Sequence, residues 1–166
     1  MYQIGDKIVY PMHGAGVVEA IEEREIMGAK QKYYIMKMPI GDMKVMIPMA
    51  NADEIGVRAT ISSEQATMVL ETFRTCKTDY SSNWNKRYRE NMLKIKSGDI
   101  IEVCSVVKIL MLRDKSKGLS TGERKMLANA KQILISELVL ANNAPKADVE
   151  ETINSIIQEE YEKSIG

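Results

Sequence analysis

The sequence predicts an α+β protein. A small, strongly bent antiparallel β-barrel module is expected over residues 1–58, and a compact all-α-helical module over residues 59–166. Three observations predict this. Apolar residues in roughly the first 55 positions alternate with period two between turn signals. After Arg58 the apolar period lengthens to that of a helix. The second half is also punctuated by N-cap and capping-box signatures, which belong to helix starts.

The strands come first. "KIVY" (Lys7–Tyr10) is short, branched and apolar, and "GVVEAIEEREI" (Gly16–Ile26) begins apolar and then alternates with charges. "KYYIMKM" (Lys32–Met38) and "KVMIPM" (Lys44–Met49) are further strands. Gly14, Gly16, Gly28 and "IGDM" (Ile40–Met43) mark the turns. Four or five short strands joined by tight turns in so few residues suggest a small barrel. Pro48, which lacks an N–H, is expected to end its strand or to lie at a sheet edge.

The helices follow a boundary near Gly56–Ser62. Ser62 with Gln65 reads as a capping box for a helix running to about Thr75. Ser81 or Ser82 can cap a second helix that reaches about Lys96. "SGD" (Ser97–Asp99) opens a third, in which Ile100, Val103, Val106, Val107 and Leu110 keep helical spacing. Ser120 and Glu123 form a second capping-box pattern ahead of the longest helix, Thr121 to about Ala141, which Asn142, Asn143 and Pro145 end. A last, acidic helix is expected over Lys146–Ser164.

Charge separates along the chain although the formal net charge is zero. Residues 61–131 carry 14 basic and 8 acidic side chains, and residues 132–166 carry 2 and 7. A basic middle suits a polyanion, although solvated helix faces would look the same. The 12 methionines read as core filling. Cys76 and Cys104, 28 residues apart with a single histidine in the chain, do not make a metal site and are expected as free thiols in a reducing compartment. No apolar run resembles a signal peptide or a membrane span, so a cytoplasmic protein is expected. His13, in "PMHGAG", has no nucleophile or orienting carboxylate at a recognisable spacing, and no phosphate-loop Lys-Ser/Thr follows the glycines. The sequence thus points away from an enzyme, with no cofactor and no small-molecule substrate.

The segment "SSNWNKRYREN" is the most informative. On a helix, Trp84, Tyr88, Met92 and Ile95 fall within one arc, so Trp84 can be the first rung of a core stripe. It also stands in the first turn, with Asn83, Asn85, Lys86, Arg87 and Arg89 around it. A helix start presents unpaired N–H groups and a positive dipole end, which suit phosphate oxygens. An apolar side chain among cations at such a start can also act as a minor-groove wedge. Arg124 and Lys125 occupy the first turn of the longest helix, a second basic helix start.

Four blocks, "GDKIVYPMHGAGVVEAIEE", "KYYIMKMPIGDMKVMIPMANADEIGVR", "NWNKRYREN" and "LSTGERKMLANAKQILISELV", together resemble the CarD/CdnL family of bacterial transcription regulators, in family order and over almost the whole chain. The first half alone also resembles the polymerase-interacting domain of transcription-repair coupling factors. The resemblance implies a Tudor/SH3-like N-terminal module that binds the RNA polymerase β subunit. It also implies a helical module that touches promoter DNA at the upstream edge of the melted bubble, with the residue matching Trp84 in the minor groove. The implied outcome is a stabilised open complex without sequence reading. Lys86, Arg87, Arg89 and Arg124 match the family's DNA-contact positions; Asn85 and Lys125 join them by proximity. On the polymerase side Arg24 and Met46 match contact positions, although some members carry Arg where Met46 stands. The strand Lys44, Val45, Met46, Ile47 and Pro48 is expected as the docking edge, since strand addition depends mainly on backbone groups. The rival reading is a protein-interaction adaptor that never touches DNA. Salt-sensitive, sequence-tolerant duplex binding separates the two.

Overall fold

The computed structural model describes residues 1–77 and 83–165. Five antiparallel strands form one sheet: β1 (Lys7–Tyr10), β2 (Gly14–Ile26), β3 (Ala29–Lys37), β4 (Lys44–Pro48) and β5 (Arg58–Ala59). A 3-10 turn over Met49–Asn51 and the single-turn helix α1 (Ala52–Ile55) connect β4 to β5. The helical half contains α2 (Ser63–Thr75), α3 (Trp84–Lys96), α4 (Ile100–Ser116), α5 (Thr121–Asn142) and α6 (Lys146–Ile165).

The sheet order is β4-β3-β2-β1-β5, and the expected barrel does not close. The reason is the length of the last strand. β5 is two residues long and pairs only with Ile8 and Val9 of β1, so it cannot also reach β4 at the far edge. Period two marks β1 to β4, whereas β5 and α1 are too short to show a period.

The long β2–β3 hairpin turns at Met27 (φ 53°) and Gly28 (φ 81°). Two successive positive φ values match the right-handed twist of the flanking strands. Glu19 falls at an irregularity in the β2–β3 register, between the pairs Val18–Met36 and Ala20–Ile35. One face of the sheet buries Ile8, Val18, Tyr34, Met36 and Ile47 with Ala52 and Val57. A second core forms among the helices, around Phe73, Ile95, Val107, Leu110, Leu134, Leu138 and Ile153.

Helix starts follow their caps. Ser62 and Gln65 form the complete reciprocal box, and the Asp99 side chain accepts from Ile101 N–H at the head of α4. Ser81 and Ser82 lie outside the described residues; the cap observed on α3 is Asn83, whose side chain accepts from Lys86 N–H. Asn143, in the left-handed conformation (φ 50°), ends α5.

The two halves pack on each other along α5. Ala15 N–H donates to the buried Ser136 Oγ (2.9 Å), and Lys7 Nζ donates to Leu140 O (3.0 Å). Arg58 holds the fully buried Glu137 carboxylate with two donors, at 2.7 and 2.8 Å, and Ile61 N–H donates to the same group at 2.9 Å. Gly14 sits at this contact with φ +114°, and a Cβ there would lie 2.7 Å from Ser136 Oγ. Gly14→Ala therefore forces both a strained backbone and a clash at the inter-module contact. The expected loss is about 1–3 kcal/mol, read as a lower denaturant midpoint with an unchanged slope.

Candidate functional site

α3 and α5 begin side by side. Trp84 Nε1 donates to Ser120 Oγ (3.1 Å), and one turn further on Arg87 Nε donates to Glu123 Oε2 (3.0 Å). Both pairs are separated by 36 positions in the chain, so the two first turns run in step. This brings together two basic helix starts that lie far apart in the sequence.

Trp84 is 42 % exposed, neither a core residue nor free of the core. Its ring stacks on Tyr88 at 5.0 Å between centroids and 20° between planes. Both stacked rings lie against α5 at Gly122, where a Cβ would be 3.5 Å from Tyr88 Cε2 and 3.8 Å from Trp84 Cζ2. The buried face of α3 does not follow the expected Trp84–Tyr88–Met92–Ile95 arc. It runs through Arg87, Asn91 and Ile95, with Tyr88 and Met92 half-buried along its margin.

Arg87 explains that rotation, and it is a correction to the implied surface role. The side chain is 2 % exposed and lies in an ion pair with Glu123, itself 2 % exposed. A guanidinium so buried needs a carboxylate partner, and the first turn of α5 supplies one. In this structure Arg87 is therefore not presented to a phosphate. Burial pushes the Glu123 carboxyl up, but the hydrogen bond and charge of Arg87, with the Ser120 contacts, hold it below the ordinary carboxylate value. The second capping box is altered for the same reason. Ser120 Oγ accepts from Glu123 N–H (3.2 Å), but the Glu123 carboxylate faces Arg87 and the Ser120 hydroxyl.

The other cations are on the surface. Lys86 is exposed with Glu90 at 3.9 Å along the helix, a pair of little energetic consequence. Asn85 and Arg89 are exposed on α3. Arg124 is exposed and its Nε donates to Leu119 O (3.3 Å), while Lys125 beside it is exposed. The resulting patch is a half-exposed aromatic ring where two helix N-termini meet, with exposed cations on both helices.

The strand β4 lies at an edge of the sheet with β3 as its one strand neighbour. Period two divides its side chains. Ile47 is fully buried in the sheet core, so it can offer only backbone to a partner, while Val45 packs against that core and is half-buried. Met46 is 37 % exposed, Pro48 is half-buried, and Lys44 is exposed with Glu19 at 2.9 Å. Arg24, on β2, is exposed and donates from Nε to Glu22 (3.0 Å).

His13 is exposed at the β1–β2 turn, its ring 4.4 Å from that of Tyr10, and its carbonyl accepts from Gln132. Both cysteines are free thiols, and burial pushes the Cys104 thiol up to about 12. No helix among the described residues is long and apolar enough to cross a membrane.

Residues 2–61 match the family model of the CarD-like/TRCF RID domain, and residues 68–154 match that of the CarD C-terminal domain. The chain is also 45 % identical, over 138 residues, to a protein of Bacillus subtilis (strain 168) named "Putative transcription factor YdeB". That match covers 83 % of this chain and 90 % of the relative.

Proposed function

The chain belongs to the CarD family of transcription factors, and from that premise we propose that it bridges RNA polymerase and promoter DNA in the cytoplasm and prolongs the open complex. In this reading the β4 edge, with Met46, Pro48, Lys44 and nearby Arg24, docks on the polymerase β subunit by strand addition. The paired starts of α3 and α5 lie against the duplex at the upstream edge of the bubble. Trp84 enters the minor groove there, and Lys86, Arg89, Arg124 and Lys125, with Asn85, hold the phosphates.

The observation that carries this reading is the joining of two helix N-termini around one half-exposed indole. Exposed cations lie on both helices and Trp84 keeps 42 % of its surface open, and such a surface can engage the groove and both backbones together. The deciding experiment is the lifetime of the open complex formed by purified polymerase, with and without the protein. A longer lifetime is expected with it, and no change would remove the proposal.

The cations make a separate prediction. Neutralising Arg89, Arg124 or Lys125 should weaken binding to all duplex sequences alike, and each lost phosphate contact should lower the salt slope by about 0.9. The measurement is a titration of labelled duplex at several salt concentrations. A variant whose low-salt affinity is unchanged identifies a residue that makes no phosphate contact. An adaptor without DNA contact would show no salt-dependent binding at all.

A further inference from the structure

The Ser120 hydroxyl is fully committed. A hydroxyl has one donor and two acceptor sites. Ser120 Oγ accepts from Trp84 Nε1 (3.1 Å) and from Glu123 N–H (3.2 Å), and it donates to Glu123 Oε1 (3.2 Å). Glu123 is in turn held by Arg87, through Nε at 3.0 Å and Nη2 at 3.4 Å. With its proton directed at the carboxylate, the hydroxyl must turn its lone pairs to the two N–H donors. One of these is the indole.

Stacking and this hydrogen bond do different things to Trp84. Stacking on Tyr88 restrains the ring plane but leaves the ring able to slide and flip within it. A donor bond from Nε1 removes that freedom, because the indole has only one N–H. From this geometry we infer that Ser120, oriented by Glu123 and Arg87, is a positioning residue that fixes the indole of Trp84 in the orientation it presents to DNA. The inference rests on the wedge reading proposed above. It assigns the buried Arg87–Glu123 pair a task beyond joining two helices: to set the direction of the Ser120 hydroxyl.

Holding an exposed aromatic side chain in its bound rotamer before binding removes an ordering cost, worth about threefold to tenfold in affinity or lifetime for one side chain. The device suits a residue that must be accessible and yet ordered. Core packing could order the ring only by burying it.

Trp84 is the single tryptophan, so fluorescence excited at the red edge, beyond tyrosine absorption, reports on it alone. The test uses the full chain with Ser120→Gly and Ser120→Thr. Glycine at an N-cap retains most of the capping preference, so the first variant removes the acceptor while keeping the helix start. Threonine retains both. Ser120→Gly should lower the steady-state anisotropy of Trp84, shift its emission toward that of a water-bonded indole, and shorten the open complex about threefold to tenfold. Ser120→Thr should restore all three. Unchanged anisotropy and emission in folded Ser120→Gly overturn the inference. So does an unchanged open-complex lifetime in that variant when Trp84→Ala shortens it. If Trp84→Ala leaves the lifetime unchanged, it is the wedge reading that fails, and the fluorescence pair then decides the positioning role by itself.

Discussion

Trp84→Ala should shorten the open-complex lifetime about tenfold or more while the helical module stays folded. Loss of aromatic stacking on a nucleic acid is worth roughly 1–3 kcal/mol, and ~1.4 kcal/mol is a factor of ten. The stability side is set by the observed environment. A fully buried Trp would cost ~3–5 kcal/mol on truncation to Ala. Trp84 is 42 % exposed, and among the described residues it is held by one hydrogen bond to Ser120 and one stacking contact with Tyr88. Those together are worth about 1–2 kcal/mol, a fall in melting temperature that a medium domain survives. Trp84→Phe and Trp84→Tyr should recover part of the lifetime, since a smaller ring still wedges. Melting temperature and open-complex lifetime are measured on the same protein. A folded Trp84→Ala protein that prolongs the open complex as well as the parent would rule out the wedge.

Arg87 makes the opposite demand, although it sits in the same basic segment. Arg87→Met leaves the Glu123 carboxylate buried without its guanidinium, and breaking a buried pair from one side typically costs about 3–5 kcal/mol. The helical module should melt far earlier than in Trp84→Ala. The double variant Arg87→Met with Glu123→Leu should regain much of the loss, because an apolar pair of similar volume removes the stranded charge. Thermal melts of the two single variants and the double variant form the cycle. An Arg87→Met protein as stable as the parent, but unable to hold DNA, would show instead that Arg87 turns outward to a phosphate. Arg89 and Arg124, by contrast, are exposed. Their variants should change the salt slope of DNA binding and leave the melting temperature alone.

Much of this fold is legible in the residues. Ser62 with Gln65, Asp99, Ser120 and the Asn142–Pro145 break mark helix limits because capping is a local interaction, complete within four or five residues. The four longer strands are legible for a similar reason. Alternation records which face meets the core, and even the split of β4 into buried Ile47 and exposed Met46 follows from it. Less legible are β5 and α1, whose two and four residues are too few to set a period. Closure of the sheet depends on β5 reaching β4, which no local pattern encodes.

The candidate site divides along the same line. The composition of the site is written in the residues: one indole in a first turn, cations around it, and a second basic helix start at Arg124 and Lys125. Those are properties of short segments, where spacing on a helix is enough. How they are used depends on the packing of α5 on α3. Lys86, Arg87 and Arg89 look alike in sequence, yet Arg87 is inside, where it meets the carboxylate of Glu123, 36 positions away. The same docking of α5 on α3 gives Trp84 a hydrogen-bond partner and keeps its ring half in solvent. Burial and pairing across such a distance depend on how helices pack, and a segment's own residues carry no record of the neighbour they will meet.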